Sequence, residues 1–251
     1  FLSTPAGLYA STDGGLHVTA LPRPSVSGGT FDVLLTNAQR PGELFAANSA
    51  FNGTVYRSLN DGQTWTAYAQ GLFGSVQALA VDGGGLCAAS STGFYRRAST
   101  GDWARTGDLP GGTVLDLSAG SSAMFLSTSL GCFTSTDGGV HWDPLALPEI
   151  GSIFHVGRDG VGQAYLMARG RLVRVSANGV PSEVTGTDYP FTACNGFVTV
   201  GTTLVAATDM GIYRSDDAGL SWRPSHEGLV STDILPVAAD PNDPDYFYVG
   251  S

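Results

Sequence analysis

Asp116 and His155 are the residues in this chain whose types suit acid–base chemistry. Asp116 lies in the apolar run Val114 to Ser118, and His155 ends the stretch Pro148 to His155 that leads into another such run. A carboxylate beside an imidazole can orient it as a general base, or the two can share a metal. Asp32, Gln77 and Asp233 occupy comparable places, at the start of strand-like runs. Hydrolysis or elimination at a sugar would need Asp116, His155 and a second carboxylate, Asp32 or Asp233, with the two carboxyls about 5 to 9 Å apart. The plainer reading makes these side chains solvated residues lining an opening. In either case Gln77, Asp116, His155, Phe73 and Phe191 are the candidate ligand contacts.

The elements that must position them follow from composition and repetition. The chain has 251 residues, is 42% hydrophobic and only 14% charged, and carries 35 glycines; its 12 cationic residues are all arginine. Helices built on Glu/Lys pairs are therefore excluded, and strands and turns dominate. The segments Ser11 to Gly15, Ser58 to Trp65, Ser135 to Trp142 and Ser215 to Trp222 share the form S-x-D/N-x-G-x-x-W, the first having Val18 in place of Trp. Weaker copies stand at Arg96 to Trp103 and Ser176 to Gly179, so a unit of about 40 residues recurs along the whole chain. Each unit contains four short apolar runs, which is one blade of a β-propeller.

The expected fold is all-β: a single six-bladed β-propeller of four-stranded antiparallel blades. The blade bounds are 232–251 with 1–22, then 29–70, 75–107, 113–147, 152–185 and 191–227. The C-terminal strands Ile234 to Ala239 and Tyr246 to Ser251 would complete a blade begun at Gly7 to Ala10 and Leu16 to Leu21. That sharing would remove two open sheet edges.

The turns resemble Asp-boxes, the BNR repeats of sialidases, xyloglucan-active glycoside hydrolases, sortilin-type receptors and the photosystem II assembly factor family. A turn of this kind needs Gly where φ is positive, a side-chain oxygen of Asp or Asn to accept backbone N–H groups, and Ser in the same role. Ser11, Asp13, Gly15, Ser58, Asp61, Gly62, Trp65, Ser135, Asp137, Gly139, Trp142, Ser215, Asp217, Gly219 and Trp222 are thus structural, the Trp packing as an apolar plug. The resemblance implies that these turns lie away from the functional face, which leaves ligands to the loops leading into the innermost strands.

The enzymes of that superfamily fit poorly. Sialidases need an F/Y-R-I-P segment and three convergent arginines; the tetrapeptide is missing, and the arginines here stand beside box turns or in outer hairpins. Xyloglucan-active enzymes share the phrase Gly211-Ile212-Tyr213-Arg214-Ser215 but are built from two larger propellers. The photosystem assembly factors are single rings without catalytic residues, and their basic docking patch has no counterpart in so acidic a chain. G-x-S-x-G and G-x-x-x-x-G-K-[ST] do not occur. No cofactor and no metal are called for, calcium at Asp240 to Asp245 being the minor alternative. Cys87, Cys132 and Cys194 read as buried thiols. Asn52-Gly53-Thr54 matches the glycosylation acceptor pattern.

The net charge of −10 opposes nucleic acid as a partner, and no apolar run is long enough to span a bilayer. The expected function is a non-enzymatic, extracytoplasmic binding or assembly module that recognises a protein partner or a glycan through one face of the propeller. The alternatives are a glycoside hydrolase or lyase with an Asp/His site, and an accessory subunit of a membrane-associated complex that uses Phe73, Ile150, Phe154 or Phe191. An all-β chain should give a far-UV circular dichroism spectrum with a single shallow minimum near the strand region; a helical double minimum contradicts the assignment.

Overall fold

The computed structural model describes residues 1–4, 7–11, 17–24, 31, 33–37, 39–48, 54–98, 100–120, 122–147, 153–159, 162–168, 171–176, 179–184, 192–225, 237–239 and 247–249. No helix occurs among them. An N-terminal three-stranded sheet comprises β1 (Leu2–Thr4), β2 (Gly7–Ala10) and β3 (Thr19–Ala20). Five complete four-stranded sheets follow. The first is β4 (Val33–Thr36), β5 (Leu44–Ala47), β6 (Val55–Ser58) and β7 (Thr66–Ala67); the second is β8 (Val76–Asp82), β9 (Gly85–Ser90), β10 (Gly93–Arg97) and β11 (Ala104–Gly107). The third is β12 (Val114–Ala119), β13 (Met124–Thr128), β14 (Gly131–Ser135) and β15 (Asp143–Pro144); the fourth is β16 (Ile153–Arg158), β17 (Ala164–Ala168), β18 (Arg171–Val175) and β19 (Pro181–Glu183). The fifth is β20 (Cys194–Val200), β21 (Thr203–Thr208), β22 (Gly211–Ser215) and β23 (Arg223–Pro224), and β24 (Val237–Ala239) pairs with β25 (Phe247–Val249). Sequence neighbours are sheet neighbours throughout, so each complete sheet is an antiparallel meander and the fold is a β-propeller.

Among the described residues five complete blades are present where six are expected. At the N-terminus Leu2-Ser3-Thr4 forms a strand of its own that the sequence reading does not include. β1 pairs with β2 through Leu2↔Tyr9, Ser3↔Leu8 and Thr4↔Gly7, giving that sheet three strands instead of two. The residue types of Phe1-Leu2-Ser3-Thr4 recur at Phe125-Leu126-Ser127-Thr128, within β13, the second strand of a complete blade. No pairing between β25 and the N-terminal sheet is found among the described residues.

The chain forms two compact units: Phe1–Pro110 with Ala119–Ser121 and Asp137–Trp142, and Gly111–Ser118 with Ser122–Thr136 and Asp143–Ser251. In both, the second strand of every complete blade is buried along most or all of its length, as in Leu44–Ala47 and Ala164–Ala168. A strand covered on both faces loses the polar alternation of a half-exposed one. The fourth strands are exposed two-residue pieces in three blades, two of them ending in Pro, which blunts the outer edge. In the first unit Phe45, Ala47 and Val55 pack with Leu79, Ala88, Tyr95 and Trp103. In the second, Tyr165, Met167 and Leu172 pack with Phe197, Leu204 and Ala206. Cys87, Cys132 and Cys194 are free, buried thiols, each pushed up to about 12 by burial.

The S-x-D/N-x-G-x-x-W turns join third strands to fourth strands by one hydrogen-bond scheme. Ser58 Oγ accepts Gly62 N–H at 2.9 Å and Asn60 Oδ1 accepts Thr64 N–H at 2.9 Å. Ser215 Oγ accepts Gly219 N–H and Asp217 Oδ1 accepts Ser221 N–H, both at 2.8 Å, while Asp137 Oδ1 accepts the N–H groups of Val140 and His141. The second turn therefore uses Asn60, not Asp61, as its acceptor. Asp61 stands one residue later at φ +55°, where the other two turns hold Gly138 at +75° and Ala218 at +59°. Ser11 is described, whereas Asp13 and Gly15 lie outside the described residues.

The turn glycine answers to packing as well as to φ. A Cβ on Gly139, at φ +88°, would sit 2.1 Å from Phe94 Cδ1, and one on Gly219, at +90°, would sit 2.2 Å from Leu172 Cδ2. Trp142 meets the same Phe94 edge-on at 5.2 Å between centroids. Gly138 is different, since its Cβ would come no closer than 3.6 Å to the Arg96 side chain. Gly138→Ala should cost about 1 kcal/mol, the strain of a positive φ. Gly139→Ala adds overpacking of about 1–3 kcal/mol to that. Urea denaturation of the two variants should rank them in that order, and equal midpoints would show that the contact with Phe94 is soft.

Candidate functional site

Asp116 and His155 come close in the structure, but their polar atoms are taken by backbone. Asp116 Oδ1 accepts the N–H of Leu117 and Oδ2 accepts the N–H of Val156, both at 2.8 Å. The second bond carries β12 to β16, first strand to first strand. Burial pushes the Asp116 carboxyl up, against the pull of those two N–H groups and of His155. The His155 imidazole makes the equivalent reach onward, to the backbone of Cys194 and Asn195 in β20, and burial holds it below the ordinary histidine value. Thr199 Oγ1 donates to Arg158 O between the same strands, and Arg158 donates to Ala123 O. Asp116, His155 and Thr199 thus link successive innermost strands, while Arg158 reaches the turn between β12 and β13, and Asp116 and His155 have no hydrogen bond to each other among the described contacts.

The remaining candidates divide. Gln77 falls at an irregularity of β8, where the pairing skips from Val76↔Ser90 to Ala78↔Ala89; the same skip occurs in β16 and β20. Such bulges re-aim the local side chain. Phe73 is 68% exposed on the loop before β8, its carbonyl held by the hydroxyls of Ser90 and Thr92. Asp32, Asp233, Phe191, Ile150, the first two residues of the glycosylation pattern (Asn52 and Gly53) and the acidic turn Asp240 to Asp245 lie outside the described residues, as does the side chain of Phe154. Among the described residues no three His, Cys, Asp or Glu side chains gather as a metal site, and no helix is long and apolar enough to cross a membrane.

A cavity that sequence reasoning missed lies in the first unit, at the opposite end of the blades from the loops that lead into β8. Its volume is about 220 Å³, and its wall includes Arg40, Glu43, Arg57, Tyr68, Asp82 and Arg97. Buried Glu43 takes Arg57 Nε at 2.7 Å, and Arg96 grips Asp82 at 2.8 and 2.9 Å. The Tyr68 ring meets two guanidiniums, Arg97 at 3.6 Å and Arg57 at 5.1 Å from its centroid. These arginines look dispersed in the sequence because they come from different blades. The readable signal is Arg97 itself, which faces Leu86 at the register where Ser58, Ser135 and Ser215 face Leu44, Met124 and Leu204. An arginine there replaces the serine that opens the other turns.

No protein-family model matches the chain, and no curated protein matches it. Solved structures do match in fold. YCF48 bound to D1 peptide superposes with a TM-score of 0.63 at 16% identity over 85% of this chain and 74% of that one. The GH74 xyloglucanase from Xanthomonas campestris gives 0.62 at 18% identity over 87% of this chain, which spans 43% of the enzyme. Virginiamycin B lyase from Staphylococcus aureus gives 0.67 at 12% identity over 89% of this chain and 78% of that one. At such identities the likeness is one of β-propeller architecture.

His155 makes stability depend on pH. The folded state prefers the neutral imidazole, so below the unfolded value near 6.5 the unfolded chain binds more protons and stability falls as pH falls. The raised Asp116 carboxyl acts in the opposite sense and is present in both proteins compared below. Between pH 7.5 and 5.5, urea denaturation of the parent should lose stability faster than that of His155→Gln, by at most about 1.4 kcal/mol per pH unit. Parallel pH profiles would show that His155 is not held neutral.

Proposed function

We propose that the chain is a non-enzymatic binding module that holds a protein partner at the blade end where the connecting loops lead into the innermost strands. The carrying observation is that Asp116 and His155 are each engaged with backbone groups and make no hydrogen bond to each other among the described contacts, so the pair is not arranged as an acid–base couple. Large apolar side chains project at that end of the blades in each unit. In the first unit Phe73 is 68% exposed before β8; in the second, Leu130 is 71% exposed between β13 and β14 and Met210 54% exposed between β21 and β22. Each is a large apolar side chain on a turn fixed by side-chain hydroxyls, such as Thr128 Oγ1 accepting Leu130 N–H and Thr208 Oγ1 accepting Met210 N–H. Rigid loops with projecting apolar side chains suit recognition of a protein surface. A fold neighbour that holds a peptide, YCF48 bound to D1 peptide, is in keeping with this use.

The same reading takes the S-x-D/N-x-G-x-x-W turns as Asp-boxes and places the protein outside the cytoplasm. Affinity capture from the native source should retain a protein partner with the parent chain and with His155→Gln, and lose it either with Phe73→Asp or with Leu130→Asp and Met210→Asp combined. Capture unchanged by both variants, or glycan turnover abolished by His155→Gln, overturns the proposal.

A further inference from the structure

We infer that the cavity between the β4–β7 and β8–β11 blades is a binding site for a small carboxylate with an apolar body. Two of its cations have no anionic partner. Glu43 neutralises Arg57 and Arg96 neutralises Asp82, whereas Arg97 and Arg40 form no ion pair among the described residues. Among the described residues the Arg97 Nε is buried without a hydrogen bond, and its Nη1 has a 3.5 Å contact with Tyr68 O. A guanidinium short of acceptors is costly, and because Arg97 lines the cavity a ligand oxygen there can meet the part of the fork that the wall leaves open. Stacking on Tyr68 at 3.6 Å fixes the plane of the Arg97 fork before any ligand arrives.

The charge of the wall selects the anion. A planar monoanion matches a guanidinium in the bidentate manner. A phosphate dianion would bring its second charge toward Glu43 and Asp82, both of which also line the cavity. The rest of the wall selects the body of the ligand, since Phe45, Val81 and Leu86 present apolar surface beside Tyr68. The hairpin Gly83-Gly84-Gly85 leaves room on one side, for a Cβ on Gly83 would meet nothing within 4 Å. Arg40, exposed on the β4–β5 hairpin, stands at the rim. The site is independent of the protein-partner reading, because its residues lie at the other end of the same blades.

Phenylacetate, phenylacetamide and inorganic phosphate are suitable probes, titrated by calorimetry against the intact chain. Phenylacetate should bind about 10- to 100-fold more tightly than phenylacetamide, the difference made by a charge-assisted hydrogen bond, and more tightly than phosphate. Arg97→Gln should remove that preference. Arg40→Gln alters an exposed side chain, so it tests the site even if Arg97→Gln does not fold; it should weaken phenylacetate and leave phenylacetamide unchanged. Equal binding of acid and amide, tighter binding of phosphate, or a preference unaffected by Arg40→Gln overturns the inference.

Discussion

A four-stranded blade has two apolar faces, and neither can remain in water. The second strands show the constraint at its strongest: Leu44–Ala47, Met124–Thr128 and Thr203–Thr208 are buried at every residue. Burial on that scale, at about 25 cal/mol per Å² of apolar surface, is possible only when another sheet lies on each face. Blades therefore stabilise one another and not themselves. The turn glycines stand where this stacking is tightest, which is why Gly139 meets Phe94 and Gly219 meets Leu172 with no space for a methyl group. The turn chemistry and the core packing are thus two aspects of one requirement.

The innermost strands carry a second consequence. A first strand has a sheet neighbour on one side only, so its other edge presents unpaired N–H and C=O groups that must find partners. Asp116, His155 and Thr199 supply them from the next innermost strand along. Polar residues in an apolar strand look like chemistry when read along the chain. In space each of them is bonded to backbone, Asp116 to Leu117 and Val156, and Thr199 to Arg158.

What was legible in the sequence was whatever repeats. The strand count of each complete blade and the positions of the turns opened by Ser58, Ser135 and Ser215 follow from spacing alone, and the acceptors at Asp137 and Asp217 from turn chemistry. The pattern S-x-D/N already holds Asn60, but Asp61 beside it is the more conspicuous acid; the structure gives the acceptor role to Asn60, two residues after Ser58. β1 was hidden because a three-residue strand shows no period; the likeness of Phe1–Thr4 to Phe125–Thr128 is its cue. The cavity had no linear signature beyond the misplaced Arg97. Arg40, Arg57 and Arg97 are joined by the stacking of two blades, which no spacing rule within one blade encodes.

The absence of lysine bears on how these two blade ends divide their work. With every cation a planar fork, charge in this protein is directional: Arg57 binds Glu43, Arg96 binds Asp82, Arg171 binds Glu183, and Arg214 and Arg223 share Asp216. Most of that charge is thereby committed at the hairpin and box-turn end of the blades, leaving the loops before β8 and the turn after β13 to present apolar groups. β8 runs between the two kinds of surface, with Phe73 ahead of it and Asp82 at its close, and its 7 residues span about 20 Å. A ligand at the arginine cavity and a partner at Phe73 therefore act on opposite ends of one strand, and coupling between them through the fold would require that strand to have two discrete arrangements.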